Sequence, residues 1–362
     1  MKKVIFISAL AIAAAASCTK SDIVDTKYGN DVIGFESYVG RDAQTKATVV
    51  NEDNIGTAGL YGFYTAGTAW SSTSTANLWE NAPLNCTAGS VSPVKYWTNE
   101  VDKYSFLAYA PKVTDEYTYL TTATTEKANP TVTYTVPTAL ADQIDLTYAQ
   151  VFNTTKAAVD AATSKKVDMT FKHALARLTV KASKSTQASA DFEFDVKEVT
   201  IAGNFNTQGT FNLGTAKWTP VTPTASTSYN FYTNPNTAYT DANKLTTSGV
   251  DYAGTNNYLM MIPTEFSATN KATLTVKYTT YYQNQESTEN TKTFDITTNF
   301  QQGKAYAISL VFNQDLDTIE FNVSVEGWGD ETESVLYPID PEKTETGDDD
   351  TTGEENGEEQ QA

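Results

Sequence analysis

Apolar and polar residues alternate in short bursts along most of this chain, and turn residues close each burst before a helical repeat can establish itself. Ala58 to Tyr64, Lys103 to Ala110 and Thr131 to Val136 carry aromatic and β-branched side chains at partial period two, which predicts strands. Pro111 and Pro137 close the last two. Val167 to Lys181 begins and ends in strand alternation, while its middle, His173 to Ala176, fits either continued strand or a helical turn. Further strands are predicted at Phe192 to Ile201, Gly209 to Leu213, Tyr258 to Ile262, Ala272 to Tyr282, Thr291 to Ile296, Ala305 to Phe312 and Ile319 to Val325. Gly203-Asn204, Asn234-Pro235-Asn236 and Gln302-Gly303 supply turns between them. Thr222 to Gly254 lacks long apolar runs and is predicted as an extended loop. Asp31 to Val39 alternates weakly, as a tether or as a strand joining a sheet.

Composition sharpens this to an all-β fold. The chain has 21 Tyr and 16 Phe but one His and four Met, a bias toward strands. Ser183 to Ala190 holds no apolar anchor and is the expected linker, with Thr154 to Ser164 as the competing boundary. The expected division is residues 1–17 as signal, 18–46 as a lipid-side tether or N-terminal strand, 47–187 and 188–330 as two all-β domains, and 331–362 as a C-terminal segment with an acidic, disordered tail.

The N-terminus addresses the chain for export. Lys2 and Lys3 precede an apolar run of 13 residues, Val4 to Ala16, where a bilayer span needs about 20. Ala15-Ala16-Ser17-Cys18 resembles a bacterial lipobox, with Ala15 where Leu is preferred, so Cys18 is expected to carry a diacylglyceryl lipid and to become the mature N-terminus. The alternative is an ordinary signal peptide cut near Ala16. Two or more acyl chains hold a protein stably on a membrane, which makes everything after Cys18 an envelope or surface protein. With Cys18 lipidated, only Cys86 remains, and no internal disulfide is expected.

Net charge is −19, but 13 acidic residues against one Lys lie between Asp330 and Ala362, so the rest of the chain carries only −7. No segment forms a basic patch, which argues against nucleic acid as a partner. Asp348 to Glu359 places acidic residues and Gly353 roughly as a calcium loop would, yet Thr352 and Glu355 break the pattern and no helix flanks it; a solvated tail is the expectation. His173 stands alone, without a nucleophile motif or further ligands, so neither triad catalysis nor a His-based metal site is supported. The chain is expected to be no enzyme and to need no cofactor beyond the lipid on Cys18.

Several stretches, in order, resemble the fimbrillin family of Bacteroidales type V pili. They are Tyr96-Trp97, Tyr104 to Pro111, Asp145 to Ala149, Phe171 to Leu178, Gly303 to Tyr306, Ile319 to Phe321, and Gly327-Trp328. The resemblance implies two tandem transthyretin-like β-sandwiches and export as a lipoprotein through the lipoprotein-processing enzymes. It further implies cleavage by a trypsin-like protease that removes the lipidated N-terminal strand, and polymerisation when another subunit's strand fills the groove. Thr45-Lys46-Ala47 resembles the family's cleavage string, so Lys46 is the expected site. Arg41 is the runner-up, because Asp42 after the scissile bond slows many such enzymes. The expected partners are other pilus subunits and a host or bacterial surface ligand, with adhesion as the outcome.

After Trp328 the only apolar cluster is Val335-Leu336-Tyr337-Pro338-Ile339. Val335, Tyr337 and Ile339 alternate onto one face, which makes the cluster the candidate donor strand, or else a staple that ties the chain end to the second sandwich. Two other functions compete: a non-polymerising surface lipoprotein that binds glycan or a host ligand through Trp70, Trp79, Trp97 and Trp218, and a glycosidase, for which paired carboxylates cannot be located by sequence.

Overall fold

The computed structural model describes residues 31–39, 55–114, 118–122, 128–234, 244–252, 258–283, 285–313, 319–328 and 335–338. Cys18, Arg41, Lys46, Ile339 and the acidic tail lie outside them. The first half runs β1 (Phe35–Val39), β2 (Thr57–Ala66), β3 (Trp79–Asn85), β4 (Ser90–Val91), β5 (Lys103–Ala110), β6 (Leu120–Thr122), β7 (Thr131–Thr135), β8 (Thr147–Thr154), α1 (Lys156–Ala161) and β9 (Val167–His173). Seven of these strands make one sheet in the order β1-β9-β8-β5-β2-β3-β4. Its central strand β5 is buried on both faces. Tyr104, Phe106, Ala108 and Ala110 turn into a core shared with Phe35, Trp79 and Met169, while Leu107 and Tyr109 turn into the core on the other side. That two-sided burial is why Lys103 to Ala110 is nearly continuously apolar instead of strictly alternating.

The second half runs β10 (Ala176–Lys184), β11 (Phe192–Gly203), β12 (Gln208–Asn212), β13 (Lys217–Pro220), β14 (Thr227–Thr233), β15 (Val250–Asp251), β16 (Leu259–Met261), β17 (Ala272–Tyr282), β18 (Gln285–Ile296), β19 (Lys304–Phe312), β20 (Ile319–Gly327) and β21 (Val335–Pro338). One sheet orders β15-β10-β19-β20-β21, with β16 also on β10, and faces the sheet β14-β11-β17-β18. Phe194 and Tyr278 meet Phe312 across the gap at 5.3 and 5.1 Å between ring centroids, and Phe294 stacks on Phe321 at 4.9 Å. A fourth sheet, β13-β12-β7-β6, joins the halves. The β12–β13 hairpin pairs with β7 from Gln208↔Thr135 to Asn212↔Thr131 and meets the first sheet through Phe211 and Tyr148. The all-β expectation matches this structure.

Several local expectations are corrected. The span 222 to 254 contains β14 and β15; Tyr229 and Phe231 are buried at period two, but the intervening Ser and Asn dilute the apolar signal that would announce a strand. Strand partners change at Ala174 and Leu175. β9 pairs with β1 and β8, whereas β10 already runs parallel to β19. The polar stretch 183–190 is the turn between β10 and β11, held by Lys184 Nζ donating to the Ser189 and Phe192 carbonyls. His173 to Ala176 is a bend between strands and makes no helical turn.

Trp70, Trp79, Trp97 and Trp218, open in sequence to a glycan platform or to the core, are packing residues. Trp79 and Trp97 are buried, and the Trp79 indole donates to the Pro93 carbonyl at 2.7 Å. Trp218 donates to the Ala174 carbonyl at 2.6 Å, and Trp70 packs between Phe63 and Phe152. Each ring sits where large apolar area is needed: Trp79 and Trp97 in one core, Trp70 and Trp218 against the other.

Candidate functional site

The feature with the clearest functional geometry is β1 and the slot that holds it. β1 lies parallel to β9, from Phe35↔Val167 to Val39↔Phe171, and the Val167 N–H donates to the Gly34 carbonyl at 2.9 Å. Its other side is also bonded. Ile33 N–H reaches the Lys95 carbonyl at 2.9 Å, Phe35 N–H the Gly89 carbonyl at 3.1 Å, and Trp97 N–H the Asp31 carbonyl at 3.0 Å. β1 and β4 end the strand order, yet residues 31–35 reach Gly89 and Lys95 near β4. The sheet therefore curls toward closure, and β1 is the stave that completes it.

Period two decides which β1 side chains go in. Ile33, Phe35 and Val39 are buried, whereas Val32 and Tyr38 are exposed. Phe35 meets Phe106 edge-on at 5.2 Å and Trp79 at 5.8 Å. Ser37 lies beside the Cys86 thiol, whose pKa burial raises and the Ser37 hydroxyl partly lowers; Cys86 is a buried free thiol. Fully burying each apolar side chain contributes about 1.5–3 kcal/mol, so taking β1 away would open a slot with real affinity for another strand.

Two residues complete the slot that sequence reasoning did not single out. Gly89 has φ +66°, and a Cβ there would lie 1.9 Å from the Phe35 carbonyl oxygen. Only glycine lets the strand come this close. Lys156, on α1 where Thr155 caps the helix by accepting from Ala158 N–H, places Nζ 3.3 Å from Asp31 and 2.5 Å from Asp160. The lysine thereby pins the start of β1. A glycine in Thr87-Ala88-Gly89-Ser90 signals a turn in sequence, but nothing local links it to Phe35, and nothing links Lys156 to Asp31.

Of the expected site residues, only Val335, Leu336 and Tyr337 are among the described residues, and they lie in a different sheet from this slot. Arg41 and Lys46 follow the last residue of β1 by two and seven positions in sequence, outside the described residues, as is Cys18. Val335, Leu336 and Tyr337 lie in β21, whose backbone pairs antiparallel with β20 from Val325↔Val335 to Asn322↔Pro338; Ile339 lies outside.

His173 occupies the joint between the two halves. Its Nδ1 is 2.9 Å from Asp145 Oδ2, both side chains buried, and its ring stacks on Trp328 at 3.9 Å and 10°. Arg177 lies over the Trp328 and Tyr258 rings. The arrangement clamps the end of β20 to the turn between β9 and β10, a packing role. Among the described residues no group of three or more His, Cys, Asp or Glu is placed to hold a metal.

Two all-β bodies sharing a sheet, with a terminal strand seated as a plug, define a class of strand-completed β-sandwich protein. A family model described as fimbrillin-like matches residues 43–328, and the chain belongs to that family. A fimbrial protein from Bacteroides vulgatus has the same overall fold, with a TM-score of 0.62 at 19% identity over 83% of this chain and 100% of that one. The fimbrial anchor protein Mfa2 from Porphyromonas gingivalis aligns over 83% of this chain and 100% of its own, with a TM-score of 0.33 at 12% identity. No curated protein matches the sequence significantly.

Proposed function

We propose that this chain is a subunit of a cell-surface fimbria, exported as a lipoprotein through Cys18, trimmed after Lys46 or Arg41, and assembled for adhesion by strand replacement in the β1 slot. The observation that carries the reading is the position of β1. A five-residue strand plugs a hydrophobic core and is followed within seven residues by two basic cleavage positions. An edge strand removed from a sheet leaves unpaired backbone groups and an apolar slot, which another strand fills by β-augmentation. The enzyme and glycan-binding alternatives find no comparable assembly of groups among the described residues. The exposed aromatics Tyr38, Tyr119, Phe152 and Tyr282 belong to separate elements.

Two measurements test the proposal. N-terminal sequencing of surface polymers should read Ala47, or Asp42 as runner-up, and polymers that begin at Thr19 or earlier would refute trimming. Cys18→Ala should abolish lipid labelling and release the protein from the outer membrane; unchanged labelling would refute the lipobox. Truncation after Asp330 separates the two roles of the C-terminal segment. Loss of polymers with a folded monomer supports donation, and loss of folding supports the staple. Truncation after Pro341 removes only a charged, polar and glycine-containing tail that ends in Ala362 and should change little.

A further inference from the structure

Resting on the strand-replacement reading above, we infer that residues 333–341 of a second copy of this chain enter the β1 slot in a single register, with Glu333 taking the place of Asp31, and that Lys156 is the positioning residue that sets it. The two segments share an acidic head followed by apolar residues at the same spacing. Asp31, Ile33, Phe35 and Val39 correspond to Glu333, Val335, Tyr337 and Pro341, while Ile339 takes the place of Ser37 beside Cys86 and must be accommodated there. In this register the three buried positions of the slot, those of Ile33, Phe35 and Val39, receive only uncharged residues.

Neighbouring registers fail on charge. A shift of one residue puts Asp340 or Glu342 at the Val39 position, and a shift of two puts Glu333 at the Ile33 position or Lys343 at the Val39 position. An unpaired charge in such a site carries a desolvation penalty that no apolar contact there offsets. The acidic residue at the head of the segment then falls beside Lys156, whose side chain is 11% exposed and which holds Asp31 at 3.3 Å. Loss of β1 takes this carboxylate from Lys156, and Glu333 restores it.

The outward positions are compatible at one cost. Leu336 takes the place of Gly34, where a Cβ would sit 3.6 Å from Lys166 Cγ in ordinary contact. Pro338 takes the place of Glu36. The Ile33 and Phe35 N–H groups face away from β9, so alternation turns the N–H of residue 36 toward β9, and Pro338 forfeits that ladder bond.

The test uses full-length protein trimmed by a trypsin-like protease, which also removes Cys18, with polymers followed on gels without boiling. Leu336→Cys combined with Lys166→Cys should yield, on oxidation, covalent ladders that survive heating. Ladders formed instead with Asp168→Cys would overturn the register. Lys156→Met and Glu333→Gln should each slow polymer growth about tenfold, the expected loss for a charge-assisted contact, and the double variant should be no slower than either. Glu333→Gln stands alone as the test if Lys156→Met fails to fold. Polymer growth unchanged in Glu333→Gln would overturn the role of Lys156 while leaving strand replacement intact. Polymers that persist after truncation at Asp330 would overturn donation by this segment, whereas polymers that still begin at Thr19 or earlier would remove the strand-replacement reading on which this inference rests.

Discussion

Gly89→Ala is expected to expel β1 from its slot and to block polymer growth in the trimmed protein. The added Cβ would sit 1.9 Å from the Phe35 carbonyl oxygen, an atom of backbone that no rotamer change can move. The residue also holds φ +66°, a conformation that costs a residue with a side chain about 1 kcal/mol or more. Forcing backbone apart in a packed core adds about 1–3 kcal/mol. Denaturant unfolding of the untrimmed protein should therefore show a loss of about 2–4 kcal/mol. The trimmed monomer, in which nothing faces Gly89 from β1, should lose only the conformational part. Equal losses in the two forms would show that Gly89 serves its own turn and not the strand it faces.

Phe35→Ala should lose stability only before trimming and, unlike Gly89→Ala, should leave polymer growth intact. Phe35 is fully buried between Trp79 and Phe106, and truncating such a side chain costs about 3–5 kcal/mol once the cavity is counted. That loss should appear in denaturation of the untrimmed chain and vanish after trimming, because the altered strand is then gone. Polymers grown from trimmed Phe35→Ala protein should match those of the unaltered chain. A stability deficit that survives trimming would mean that β1 remains in place, and the strand-replacement reading would fall.

Much of the fold was legible along the chain. Ala272 to Tyr282 is β17 to the residue, since Leu274, Val276 and Tyr278 alternate inward against Thr and Lys facing out. Lys103 to Ala110 is β5, its apolar run too long and too aromatic to be a loop. Trp79–Asn85 was missed, because Glu80, Asn81 and Pro83 interrupt its pattern and the strand is decided by its pairing with β2. β14 was missed for the same reason, its two buried aromatics, Tyr229 and Phe231, being spaced correctly but set among Ser, Thr and Asn.

The candidate site divides the same way. Sequence alone determined the all-β class, the apolar alternation of Ile33, Phe35 and Val39, the basic residues Arg41 and Lys46 just beyond it, and the apolar cluster at Val335. Each is a property of residues close together in the chain, where side-chain type and period speak directly. Tertiary structure alone decided that residues 31–39 close a sheet against both β9 and the segment from Gly89 to Trp97, that Gly89 is the contact requiring glycine, and that Lys156 reaches back to Asp31. It also decided that β10 joins β19 across more than a hundred residues while the β12–β13 hairpin joins β7. Such pairings are settled by which edges and faces remain unsatisfied once the local strands exist, a condition spread over the whole molecule and written in no single stretch of it.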